Sequence, residues 1–203
     1  MNLPLLVGAA VVLGIVAAVG IFASKIYNQL VAMKNRCDNG FSQIDVQLKR
    51  RYDLIPNLVE CVKSYMGHER ETLEKVIAAR NQASQGLAKA AQDPTNASAV
   101  SALMGAEGAL TGALGKLSFV MENYPELKAN ETVAGLMEEL TSTENRVSFA
   151  RQAYNDWVTS FNTYRQSFPT IMFAPTFGFH EDRPLLEIPN VEEIQEAPQV
   201  VLT

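Results

Sequence analysis

The sequence predicts an all-α protein. A single N-terminal transmembrane helix continues into an up-and-down antiparallel four-helix bundle with long first and last helices, and a proline-rich acidic C-terminal tail follows. Three observations carry that prediction. A run of 21 residues without a charge, Leu3 to Ala23, opens the chain. Between Lys25 and Phe168 apolar residues recur at alternating spacings of three and four, the mark of a buried helix face, and β-like alternation is absent. Prolines interrupt that stretch only at 56, 94 and 125, whereas five of the nine prolines fall between 169 and 198. The expected division is therefore an anchor at 1–24, a bundle at 25–168 and an extended tail, first aromatic and then acidic, at 169–203.

The uncharged run is roughly 31 Å long as a helix, enough to cross the hydrocarbon core of a bilayer. A cleaved signal peptide fits it less well. Only Met1 and Asn2 precede the run, neither is basic, and Ile21-Phe22-Ala23 is a poor small-x-small cleavage site. Pro4 suits a first helical turn, where a missing N–H costs nothing. Ala10, Gly14 and Ala18 form a small-xxx-small-xxx-small face of the kind that lets transmembrane helices approach closely. Basic side chains follow the span (Lys25, Lys34, Arg36, then Lys49, Arg50 and Arg51) and none precedes it. The positive-inside rule then puts the N-terminus outside and the bundle in the cytoplasm of a bacterial inner membrane protein. Cys37 and Cys61, if they share one helix, stand about 36 Å apart and cannot bridge within one subunit, which fits a reducing compartment.

The first bundle stretch runs from about Lys25 to Met66, with a stripe through Leu30, Lys34, Cys37, Phe41, Ile44, Leu48, Arg51, Ile55, Leu58, Val62 and Tyr65. Pro56 lies inside it, frees the carbonyl of Tyr52 and is expected to kink the helix, and Gly67 is a plausible terminator. The second stretch, about His68 to Ala91, turns Leu73, Val76, Ile77, Arg80 and Leu87 inward and ends at Asp93-Pro94. Thr95 or Asn96 can cap the third, whose stripe is Val100, Leu103, Glu107, Leu110, Leu114, Leu117 and Met121. The fourth begins near Asn130 and reads Val133, Leu136, Leu140, Thr143, Val147, Ala150, Tyr154, Trp157, Phe161, Tyr164 and Phe168, its aromatic end being core packing. At about 1.5 Å per residue the outer two helices span roughly 63 and 55 Å, the inner two about 35 and 42 Å. A bundle raised on a two-helix stalk results, and an even helix count returns Phe168 to the level of Tyr27, beside the bilayer.

The segment KIYNQLVAMKNRCDNGFSQIDVQLKRRYDLIPNLVECVKSYMGHERETLEKVIAAR (25–80) resembles the opening of the LemA family. The resemblance continues in ENYPELKAN (122–130), in LTSTENRVSFARQAYNDWVTSFNTYRQSFP (140–169) and in the Phe-Gly-Phe of 177–179, so it covers nearly the whole chain. It implies a bacterial single-pass protein with a short extracellular N-terminus and a cytoplasmic four-helix domain, and it supplies no catalytic assignment. Genes of that family often lie beside membrane metalloproteases or TPM-domain proteins, which makes either a partner to consider. The tail after Phe179 departs from the family pattern, being longer and more acidic.

Three charges fall on inward stripes: Arg51, Arg80 and Glu107. An uncompensated buried charge costs several kcal/mol, so Glu107 is expected to meet at least one of these arginines, with Glu144 a further partner. The other reading is that the guanidinium groups snorkel to the surface. Such a cluster sets register and does no chemistry, because Arg is no base at neutral pH. Neither His68 nor His180 stands in a metal-binding motif, and no Cys-x-x-Cys, phosphate loop or nucleophile elbow occurs. Neither an enzyme, nor a cofactor, nor a metal is expected. Lys49-Arg50-Arg51 reads as a solvated face, paired with Asp45 and Asp53.

The chain carries 17 basic and 22 acidic residues; from Pro169 onward the balance is six acidic against Arg183 alone, leaving 16 against 16 in the rest. A balanced body argues against nucleic-acid binding. The helix count brings Tyr27, Phe168, Phe173, Phe177 and Phe179 to the membrane level, where the aromatics pack on the stalk or rest in the lipid interface. Beyond them, PLLEIPNVEEI and PQVVLT either add as strands to a partner or neighbouring subunit or have no fixed structure. The sequence therefore points to a membrane-anchored, self-associating scaffold whose partners are the lipid bilayer and further copies of itself. An adaptor of a membrane protease or quality-control complex is the alternative.

Overall fold

The computed structural model describes residues 3–187, and among them there are helices and turns but no strand. The first helix, α1, runs unbroken over Leu3–Lys63, so the apolar run and the first amphipathic stretch are one helix of 61 residues. Its N-terminal part presents its apolar side chains outward: the most apolar 18-residue window has a mean hydropathy of 2.7 and none of it is buried. Among the described residues it is the one helix long and apolar enough to cross a membrane. From Ile26 onward the same helix acquires a buried stripe through Leu30, Cys37, Phe41, Ile44, Leu48 and Ile55. Two residues of the sequence-derived stripe do not belong to it. The Lys34 side chain is half exposed beside Asp38, and Tyr65 lies beyond the end of the helix.

Helix α2 (Arg70–Gln92) and helix α3 (Ala97–Met121) form a hairpin. Of the two candidate caps, Asn96 does the capping, its side chain accepting from the Ala99 N–H at 3.1 Å. Gly86 lets the two backbones approach: a Cβ there would lie 3.3 Å from Leu103 Cα. Pro125 starts a four-residue helix, α4 (Pro125–Lys128), too short to leave a periodic signal. Asn130 then caps α5 (Glu131–Gln166), accepting from the N–H groups of Thr132 and Val133.

Helix α5 lies antiparallel along α1, as shown by Phe41 on Tyr154 (ring centroids 5.9 Å apart), Arg36 over Trp157 and Arg50 paired with Glu139. The inward face of α5 corrects the sequence reading. Trp157 is 40% exposed and Phe168 80%, while Val158 is fully buried. A strict three-four stripe keeps a 3.5-residue period, whereas a straight helix turns every 3.6 residues and drifts about 20° per heptad. By the last turns of α5 that drift has carried Trp157 out and Val158 in. Arg36 covers the displaced indole, its guanidinium carbon 4.9 Å from the ring centroid.

The stretch after Ser167 is partly helical where an extended appendage was expected. A short helix, α6 (Thr170–Phe173), and a 3-10 turn (Pro175–Phe177) fold it back, ended by Gly178 at φ 86°, a left-handed conformation that favours glycine. Residues 179–187 then run as an irregular strap over α5, with Arg183 and Leu186 buried. Residues 188–203, which hold most of the acidic tail, lie outside the described residues.

Candidate functional site

Among the described residues one buried polar cluster gathers about Arg51. Its Nη1 donates to Glu107 Oε2 at 2.9 Å, its Nη2 lies 2.7 Å from Glu144 Oε2, and Nη2 also donates to the Thr111 hydroxyl at 3.2 Å. Arg51 and Glu107 are buried, whereas the Glu144 side chain is 48% exposed. The Tyr52 hydroxyl donates to the other oxygen of Glu107. One carboxylate thus receives a cation and a phenol from consecutive residues of α1, which fixes α3 against α1, while Glu144 ties in α5. Burial pushes the Glu107 carboxyl above its ordinary range, against the opposing pull of Tyr52 and Arg51. Burial, then the charge of Glu107, holds the Tyr52 phenol protonated far into the alkaline range. Burial likewise raises the Cys37 thiol, which is inert at neutral pH.

Arg80 does not join this cluster. Its Nε donates to the Tyr52 carbonyl at 3.0 Å, and its guanidinium stands 3.7 Å from the exposed Asp53. The sequence explains the departure. Pro56 has no N–H, so the carbonyl four residues before it has no helical donor, and a buried acceptor must be satisfied from elsewhere. Arg80 reaches across from α2 to do so. The inward stripe of α2 is completed by Ala83 and Ala90 instead.

A second polar set holds the strap. Asn162 Nδ2 donates to the Arg183 carbonyl while its Oδ1 accepts from the Arg183 N–H, both at 2.9 Å. Asn155 repeats the pattern on Leu186, with distances of 3.2 Å and 2.9 Å. Seven helical residues advance about 10 Å and three extended residues cover about the same, so the two asparagines and the two strap residues are in register. Arg183 also donates to Asp38 at 2.7 Å and sits over the Phe161 ring. Arg165 and Gln166 both donate to Asp182. Tyr154, pushed up to about 12 by burial, donates to the Pro184 carbonyl at 3.3 Å. Sequence reading missed this set, although Arg183 was visible as the lone base in an acidic tail and the two asparagines stand a heptad apart.

Buried Leu186 lines one end of a furrow between α3 and α5 together with Leu103, Met104, Glu107, Val147 and Arg151. Those two helices are not packed directly on one another as α1 is on α5. Farther from the span the furrow opens to a volume of about 340 Å³ lined by Leu58, Leu114, Leu117, Met137 and Leu140, with Arg51, Thr111 and Glu144 shared between the two parts.

The aromatic residues assigned to the membrane level separate into two groups. Phe177 packs edge-on against Tyr27 with centroids 5.3 Å apart, Phe173 stacks on Phe177, and Phe179 meets Phe161, but Phe168 projects outward. Ala10, Gly14 and Ala18 lie exposed on α1, and nothing stands within 4 Å of the missing Cβ of Gly14. Phe119 and Phe149 are the most exposed large apolar groups outside the span and the segment after α5, at 70% and 72%. Among the described residues, no three His, Cys, Asp or Glu side chains converge as metal ligands would.

A family model described as the LemA family matches residues 40–201. The match therefore runs through the strap and the acidic tail, the part read from the sequence as a departure. Magnetosome protein MamQ 2 of Paramagnetospirillum magneticum is 25% identical, over 85% of this chain and 70% of that protein. Magnetosome protein MamQ of Magnetospirillum gryphiswaldense is 25% identical, over 75% of this chain and 62% of its own. Protein LemA of Metamycoplasma hominis is 27% identical, over 70% and 61%.

Proposed function

The chain belongs to the LemA family, and on that footing we propose that it is a self-associating helical scaffold anchored in the bacterial inner membrane, without catalysis of its own. The observation that carries this reading is the construction of α1. One helix is outward-apolar over its first turns and core-forming over the rest, so the head is built directly onto the anchor. In this reading the head is an up-and-down four-helix bundle, and its polar cluster sets helix register. Self-association runs along Ala10, Gly14 and Ala18 in the lipid and is aided by the stalk, where α1 is covered by little more than α5. The head faces the cytoplasm, by the basic residues that follow the span.

The protein in native lipid discs is expected to form a discrete oligomer that Gly14→Leu reduces to smaller species, read by mass photometry. A single copy per disc at every loading overturns the scaffold, and release from membranes by alkaline carbonate overturns the anchor. Cys61, half-buried near the end of α1, reports sidedness: an impermeant maleimide on intact cells leaves it unlabelled if the head is inside.

A second reading, an adaptor for a membrane protease or TPM-domain protein, is favoured by Phe119 and Phe149, two exposed phenyl rings on the head. Crosslinking in intact membranes that yields a one-to-one pair with such a protein, lost in Phe119→Ser, selects it.

A further inference from the structure

The segment that joins α5 to the strap, residues 167–179, holds no charged side chain. Its inner side is satisfied by the protein. Thr170 and Ala174 are buried, Phe173 stacks on Phe177, and Phe177 meets Tyr27 of α1. Its outer side is apolar where a water-facing turn would be polar: Ile171 is 50% exposed and Met172 66%. Phe168, which leads into the turn, is 80% exposed, more than any other large apolar residue among those described. Contiguous exposed apolar groups of this kind mark an interaction surface. We propose that Phe168, Ile171 and Met172 rest in the interfacial layer of the bilayer, as a second foothold for the chain beside the α1 span.

Position along α1 identifies lipid as the partner. Gly40 faces Tyr154, a Cβ there lying 3.5 Å from Tyr154 Cα, and Arg36 covers Trp157. In that antiparallel register Gln166, the last residue of α5, stands beside Asn28, and Phe168 is level with Ile26. Ile26 is about 4.5 Å along the helix from Ala23, where the uncharged run ends, and Tyr27 about 6 Å. The polar layer outside the hydrocarbon is about 5–7 Å deep on each face of a bilayer. A turn at this level lies within it when the apolar run spans, which is the reading of the anchor on which the proposal rests. Amphipathic segments bury their apolar side chains at that depth. Arg165, the nearest charge before the segment, is turned away to Asp182. The strap leaves in the other direction, since Arg183 pairs with Asn162 and Leu186 with Asn155, about 20 Å along α5 from Phe168. A foothold beside the α1 axis restrains the direction in which that helix tilts.

The test is tryptophan fluorescence of the full chain in phosphatidylcholine discs whose acyl chains are either unmodified or brominated near the headgroup. Bromine quenches only an indole that it touches. In a Trp157→Phe background, which removes the one tryptophan of the chain, single reporters are placed by Phe168→Trp and by Met172→Trp. Phe22→Trp reports from the span. Phe119→Trp reports from the far part of the head, where Leu117 shares a furrow with Leu58, about 52 Å along α1 from Ala23. All four replaced side chains are exposed, so the melting temperature is unchanged. Expected is at least about twofold weaker emission in brominated discs for Phe168→Trp and Met172→Trp, as for Phe22→Trp, and no change for Phe119→Trp. Behaviour like that of Phe119→Trp in both turn reporters overturns the foothold, including when their emission is blue-shifted, the sign of cover by protein. Quenching of Phe22→Trp in that case leaves the anchor standing, so the two readings fail separately. Loss of quenching in Phe22→Trp as well overturns both.

Discussion

Arg80 and Pro56 act on the same atom, and their coupling is measurable. Arg80→Met keeps most of the aliphatic stem but removes the donor that lies 3.0 Å from the Tyr52 carbonyl. That carbonyl has no helical donor because residue 56 is proline, and Tyr52 is only 2% exposed, so water is a poor replacement. An orphaned buried acceptor costs about 1–3 kcal/mol. The Asp53 contact adds little, since it is 3.7 Å long and the Asp53 side chain is 80% exposed. The expected loss is about 2 kcal/mol, a fall of roughly 6 °C in melting temperature for a domain of this size. In a Pro56→Ala background the new N–H can satisfy the carbonyl, and Arg80→Met should then cost about 0.5 kcal/mol or less. The assay is thermal unfolding of the four proteins in one detergent, followed by circular dichroism at 222 nm. Additivity within about 0.5 kcal/mol would refute the shared-acceptor argument.

Arg51→Ala strands a buried carboxylate and should cost about 3–5 kcal/mol, whereas the Arg51→Met, Glu107→Leu pair loses less than either single change; a loss under about 1 kcal/mol for Arg51→Ala in chemical denaturation sinks the cluster's structural role. Glu144→Gln, acting on a half-exposed partner, should cost about 1 kcal/mol at most by the same measurement. Asn162→Ala removes both hydrogen bonds to Arg183 and should speed hydrogen exchange of the Arg183 amide, as Asn155→Ala should at the Leu186 amide; unchanged exchange in both contradicts the clamp. Tyr154 keeps its proton to about 12 when folded against about 10 unfolded, so its contribution is complete below pH 10 and is lost as pH rises through 12. Tyr52 has the same direction. Unfolding titrations should show stability falling across this window with a slope near two protons, reduced by one in Tyr154→Phe.

Helix positions and caps were legible in the sequence because they depend on local rules. The 3.6-residue period and the capping geometry of Asn96 and Asn130 act within a few residues. Arg51, Glu107 and Glu144 were legible as a set because a buried charge restricts its partners sharply. Arg80 was misplaced because its stripe position said that it points inward without saying at which acceptor, although the freed Tyr52 carbonyl was in view. Trp157 was misplaced by extending a 3.5-residue stripe along a helix that obeys 3.6. The strap was invisible for a different reason: backbone pairing by asparagine amides places no demand on strap residue type, so the tail's composition reads as a solvated appendage.

The unbroken course of α1 from its apolar part into the head leaves no joint between the two. Tyr52 lies about 44 Å along the rod from Ala23, so a tilt change of about 10° sweeps the polar cluster sideways by about 8 Å. A single span accommodates changes in bilayer thickness partly by tilting. Lipid composition would thereby be converted into lateral displacement of the head's surface, with α1 as lever arm and the headgroup layer as fulcrum.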